Sequence, residues 1–168
     1  MRDPQQPPAF RRPVHLGSAE ALDPDALPSA RAARPVHLRP RSVLLVAAGG
    51  VVGTAAREAV SLAVPSIGGF PAAVFGINVV GAFLLGLLLE ALVRRGPDEG
   101  RRQVLRLLLG TGFCGGFTTY SSLATATAVL LVDGDAVTGA LYAAATLLVG
   151  GLASWAGIAC GALVGGRR

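Results

Sequence analysis

Four polar groups interrupt an otherwise apolar sequence, and each has chemistry open to it. Arg57 and Glu58 sit within one hydrophobic run. Arg57 is either a helix-end residue whose aliphatic stem lets its charge reach a polar interface, or a cation that draws anions toward a vestibule; Glu58 is its neighbour or a second interfacial charge. Asn78 lies near the middle of the apolar run Val74 to Leu89. Its amide can bond a neighbouring helix or be offered to an anion. Gly115-Gly116-Phe117-Thr118-Thr119-Tyr120-Ser121-Ser122 forms a polar, glycine-bearing patch, and Tyr142 and Thr146 lie one helical turn apart. Polar groups deep in an apolar medium are costly unless they face a partner or a watery path.

The patch is the most informative stretch. Gly110, Gly112, Gly115 and Gly116 followed by paired threonines weaken a helix and predict a local break. Irregular backbone survives at membrane depth only where protein buries it or it lines a cavity. Carbonyls freed at such a break can coordinate a cation, while the half-helix ends add partial charges.

Four apolar runs carry these residues: Val43 to Val64, Phe70 to Val93, Leu105 to Leu131 and Ala136 to Val164. Each reaches the ~20 residues a helix needs to cross a bilayer. None has the polar stripe of a soluble bundle helix. Of all residues 52% are hydrophobic and 15% charged, which makes lipid the natural solvent. The expected fold class is therefore an all-α membrane protein of four transmembrane helices with a break in the third. Glycines spaced as in Gly49-x-x-x-Gly53 and Gly157-x-x-x-Gly161 fit close helix packing and say nothing about transport. Residues 1–41, rich in Pro and Arg, read as a disordered extension, and residues 42–168 as the membrane domain. Within the extension, Arg12 to Leu16 is repeated as Arg34 to Leu38, which fits drift in a biased composition or a docking motif.

The 15 basic residues are all arginines, and their placement predicts orientation. With four spans, the extension, the second loop and the tail share one side, and they hold every arginine except Arg57. The opposite side carries Asp133 and Asp135. Loops rich in arginine stay in the cytoplasm, so both termini are expected there, in a bacterial plasma membrane. Charges clustered at loop ends do not form the basic face that nucleic acid requires. Cys114 and Cys160 lack the companions of a disulfide framework or zinc site, and His15 and His37 have no catalytic partners. With no nucleotide-binding loop and no catalytic triad, the sequence does not read as an enzyme.

Three segments together resemble the signature regions of the Fluc/CrcB fluoride channel family. They are Gly49 to Arg57, Phe70-Pro71 leading to Asn78 through Gly86, and Gly112 to Ser122, one on each of the first three runs and in the family's order. The resemblance covers about residues 43 to 165 and implies an antiparallel dimer of four-helix subunits, with two fluoride pathways along the interface and a structural sodium ion at its centre. It places the carbonyls of Gly115 and Thr118 on the sodium, Asn78 in the pore lining, Tyr142 and Thr146 on a polar track, and Arg57 at the mouth. Tyr120 and Leu123 occupy the places of two phenylalanines whose ring edges contact fluoride. Leu123, Val74 and Ala126 depart from the pattern: phenylalanine, threonine and often an acid are usual there.

Fluoride is strongly hydrated, so a passive path must replace its water with donors and ring edges. Asn78, Thr146, Tyr142, Ser121 and Ser122 are the candidates. The expected function is passive export of cytoplasmic fluoride. Because an antiparallel homodimer needs a nearly balanced charge bias, the strong bias here points to an oppositely oriented paralogue as partner. One rival is a small multidrug-type proton-coupled exporter working through Glu58, and another is a non-conducting subunit of a larger complex.

Overall fold

A computed structural model describes residues 39–165, and within them the chain is helical apart from its turns. Helix α1 spans Pro40–Ala63 and α2 spans Ala72–Val93. The third apolar run is divided into α3 (Arg101–Leu105), a π-helical stretch (Arg106–Cys114), α4 (Gly115–Phe117) and, after an interruption, α5 (Tyr120–Val132). Helix α6 spans Ala136–Gly165. The described residues contain no strand, only a single antiparallel bridge between Ile67 and Phe70 in the turn before α2. Residues 1–38 and 166–168, including His15, His37, the repeated pentapeptide, Arg167 and Arg168, lie outside the described residues.

Local chemistry accounts for the boundaries. Pro40 opens α1 at a position where a missing N–H costs nothing. The α5–α6 hairpin turns at Gly134, whose φ of 86° suits glycine, and the Asp135 carboxylate then accepts the Thr138 N–H at the start of α6.

Helices α1, α2 and α6 are long and apolar enough to cross a membrane. The third run fails to form one continuous helix only because it is interrupted; its two halves laid end to end reach about 45 Å, enough for a bilayer core of about 30 Å. Large apolar side chains such as Leu62, Val132 and Leu163 point outward, while among the described residues the fully buried large side chains are Ile77 and Tyr142. That inside-out distribution suits a hydrocarbon solvent.

Glycines set the packing. Gly49, Gly53, Gly112 and Gly116 bring α1 and the Arg106–Phe117 segment into backbone contact, and a Cβ added at any of them would strike the facing main chain. Gly49 meets Leu108 and Gly112, whereas Gly53 meets Phe113 and Phe117, so these two segments run parallel. Gly86 and Gly157 do the same for α2 and α6: Phe83 neighbours Gly157 and Leu87 neighbours Gly161, again in parallel.

The two ends differ in charge. Arg39, Arg41 and Arg101 border one cavity, and Arg95 reaches Val164 near the end of α6. The α1–α2 turn meets Asp133 at the other end. Two arginines of the basic end hold carboxylates locally, Arg94 with Glu90 and Arg106 with Asp98.

Candidate functional site

The interruption of the third run falls at Thr118 and Thr119, inside the stretch where glycines and threonines predict it. Thr118 has φ −76° and ψ 157°, and Thr119 has φ −148° and ψ 118°, so both are extended between two helices. An extended pair in apolar surroundings must find other partners for its main-chain groups. Asn78 supplies them. Its Nδ2 donates to the Thr119 carbonyl at 3.0 Å, and its Oδ1 accepts the Thr119 N–H at 2.8 Å. The side-chain amide thus imitates a strand neighbour and fixes Thr119 from α2.

The threonine side chains finish the two helix ends. Thr118 sends both its N–H and its hydroxyl to the Cys114 carbonyl, closing α4. Thr119 Oγ1 accepts the Ser122 N–H at 3.1 Å and donates to Ser122 Oγ at 3.0 Å, capping α5, with Ser121 Oγ 3.2 Å away. Gly81 on α2 leaves room for the Thr118 methyl, which a Cβ there would strike.

These bonds free two carbonyls. In an unbroken helix the Thr119 N–H would go to Gly115, but here it goes to Asn78. The Ser122 N–H would go to Thr118, but it goes to Thr119 Oγ1. Released main-chain oxygens are the donors a hard monovalent cation takes, so the Gly115 and Thr118 carbonyls fit sodium in chemistry. Gly115 also has nothing near its Cβ direction, which leaves that point of the third run open to another molecule.

A groove of about 330 Å³ brings together Asn78, Thr118, Tyr120, Leu123 and Thr146, with Gly150 and Gly151 on α6. Tyr120 is 81% exposed and stands off the chain, whereas Leu123 is buried. Thr146 is buried and its hydroxyl donates to the Tyr142 carbonyl at 2.8 Å. Tyr142 lies behind the groove, only 1% exposed, its ring 5.4 Å from Phe70 and nearly perpendicular to it. Its hydroxyl is buried without a hydrogen-bond partner. Ser121 and Ser122 border the break without lining the groove, and Arg57 is half-buried on α1, away from it. Sequence reasoning missed Thr119, the hub of the arrangement. A threonine three residues before a serine at a helix start was the available signal.

Residues 44–158 match the family model described as "CrcB-like protein, Camphor Resistance (CrcB)". The chain belongs to the CrcB family. The chain is 54% identical over 140 residues to "Fluoride-specific ion channel FluC 2" of Leifsonia xyli subsp. xyli, covering 83% of this chain and 97% of that protein. It is 43% identical to "Fluoride-specific ion channel FluC 1" of Cutibacterium acnes, covering 77% of this chain and 92% of the relative. A FluC from Chlorobaculum tepidum is 47% identical, with 67% and 87% covered. The CrcB match takes in Asn78, the break and the Tyr142–Thr146 turn.

Proposed function

We propose that this chain is a subunit of a fluoride-selective channel that lets cytoplasmic fluoride leave down its electrochemical gradient. The observation that carries the reading is the Asn78-clasped break, which opens onto a groove in a chain related to proteins named fluoride-specific channels. In this reading the two halves of the third run make one span, giving four. The parallel pairing of α1 with Arg106–Phe117 and of α2 with α6 supports that count. The arginine-rich end faces the cytoplasm of a bacterial plasma membrane, as loop charge directs.

The working unit is an antiparallel dimer. A two-fold axis beside Gly115 brings the Gly115 and Thr118 carbonyls of two subunits together, where a structural sodium ion would offset their converging negative ends. Tyr120, projecting off the chain, sits at that interface, so its positive ring edge is presented across it. Asn78 spends one amide hydrogen on Thr119 and keeps the other for an ion. The unpartnered Tyr142 hydroxyl is a second donor. Thr146, whose proton is held by its own helix, contributes polarity to the wall. Ser121 and Ser122 tune the break, and Arg57 raises anion concentration at the mouth. Among the described residues no carboxylate that could couple transport to a proton or cation gradient lines the groove. Glu58, the carboxylate a multidrug-type exporter would need, is exposed on α1.

Strong charge asymmetry argues that the inverted partner is a paralogue of opposite bias, which supplies the aromatic edge that Leu123 lacks. Proteoliposomes containing this chain alone and together with such a paralogue, read with a fluoride electrode, test both claims. Efflux from the pair but not the single chain is expected. Full efflux from this chain alone overturns the obligate partner, and no efflux from either preparation overturns the channel reading.

A further inference from the structure

At the arginine-bearing end, a cavity of about 510 Å³ opens between the start of α1 and the start of the third run. Its wall includes Arg41, Arg101, Ser42 and Gln103, and its floor is Leu45 and Leu107. Among the described residues no carboxylate lines it. Of the nearby acids, Asp98 pairs with Arg106 and Glu90 with Arg94, while Glu99, next to Gly100 of the wall, is exposed and does not line the cavity. Among the described residues neither Arg41 nor Arg101 has an ion-pair partner. Arg39 borders the same cavity; the Arg41 and Arg101 guanidinium groups, which share it without an ion-pair partner among the described residues, repel each other, so an anion between them is stabilised.

Ser42 makes the cavity more than a basic surface. The residue is only 7% exposed, it lines the cavity, and among the described residues its hydroxyl has no hydrogen-bond partner. Its oxygen is not sealed in the protein, since the Tyr142 hydroxyl is the one buried unpartnered side-chain atom among the described residues, so it is open to the cavity and can donate to a ligand oxygen. The main chain adds to it: no side chain caps the start of α1, and the Arg41 N–H has no helical acceptor, so one donor and the positive end of a 24-residue helix face the same place. Arginine forks match phosphate oxygens in geometry.

We propose that this cavity binds the phosphate headgroup of an anionic glycerophospholipid from the adjoining leaflet. The aliphatic floor selects a lipid over a free ion: the cavity is polar where it meets water and apolar where Leu45 and Leu107 continue toward the hydrocarbon. Basic pockets between membrane helices suit such headgroups. The inference rests on this end lying at a membrane surface and is independent of what the channel conducts. By tying α1 to the third run, a bound lipid would fix the two segments that pack in parallel through Gly49 and Gly112.

The experiment uses the full chain, purified in neutral detergent and titrated with short-chain phosphatidylglycerol, short-chain phosphatidylcholine or inorganic phosphate, with binding read by native mass spectrometry and melting temperature. Phosphatidylglycerol should bind and stabilise, while the other two should do neither. Arg41→Gln with Arg101→Gln should weaken phosphatidylglycerol binding about thirtyfold, and Ser42→Ala by a smaller factor. Arg95→Gln with Arg102→Gln removes the same charge from the same end outside the cavity, and should leave binding within about twofold of the unaltered chain. Equal losses from the two arginine pairs overturn the proposal in favour of diffuse surface charge. Equal binding of inorganic phosphate overturns it in favour of a small-anion site, and equal binding of phosphatidylcholine removes the role of charge. If the glutamine pair does not fold, Arg41→Lys with Arg101→Lys replaces it: the charge stays but the fork is lost, and undiminished affinity then counts against the proposal.

Discussion

Replacing Asn78 with alanine removes two hydrogen bonds at once and leaves the Thr119 N–H and carbonyl without partners in a residue only 6% exposed. An unpartnered buried polar group costs about 1 to 3 kcal/mol, so the two together weigh about 2 to 6 kcal/mol against the extended pair. The chain has one ready escape. If the helix continues through the break, Thr119 pairs again with the Gly115 carbonyl, which recovers part of the loss but withdraws that oxygen from any cation. The variant should therefore melt several degrees lower and lose fluoride flux by about tenfold or more, the factor that 1.4 kcal/mol gives. Thr119→Val is the internal comparison. It keeps the main-chain clasp and loses the α5 cap, a change worth about 1 kcal/mol, so it should melt and conduct between the native chain and Asn78→Ala. Paired melting and proteoliposome efflux measurements decide the matter. Native melting together with native flux in Asn78→Ala would refute the idea that this amide holds the break.

Three further outcomes separate packing, conduction and assembly. Tyr142→Phe deletes a buried hydroxyl that bonds to nothing in the chain, so stability should stay level or rise by about 1 kcal/mol; if the hydroxyl serves the ion, efflux falls all the same, and unchanged efflux removes it from the path. Gly81→Ala strikes the Thr118 methyl within the chain and should cost about 1 to 3 kcal/mol of monomer stability. Gly115→Ala meets nothing within the chain, so its effect should be confined to the dimer fraction seen by crosslinking.

Residue chemistry alone was enough to locate the break. Glycines followed by paired threonines placed a break within Gly110 to Ser122, and the interruption lies inside that stretch, at Thr118 and Thr119, although Gly110 to Gly116 remain helical. The helix limits were nearly as legible, since a hydrophobic run has sharp ends: the last was read as Ala136 to Val164, and α6 spans Ala136–Gly165. The gathering of Asn78, Tyr120, Leu123 and Thr146 around one groove came from the family resemblance, because periodicity cannot say which helix faces which.

Tertiary structure decided how each polar group is used. In the sequence Asn78 could serve a neighbouring helix or an anion; packing α2 against the break commits its carbonyl oxygen and one amide hydrogen to Thr119. Thr146 looked like an open donor until its hydroxyl closed on its own helix, while Tyr142 kept its proton unspent. Composition and spacing determined that this chain lives in lipid, where its helices end and where one must break, because those follow from the cost of burying each residue type. Which donors stay free for an ion depends on distances of about 3 Å between residues 41 positions apart, and only the packed chain sets those.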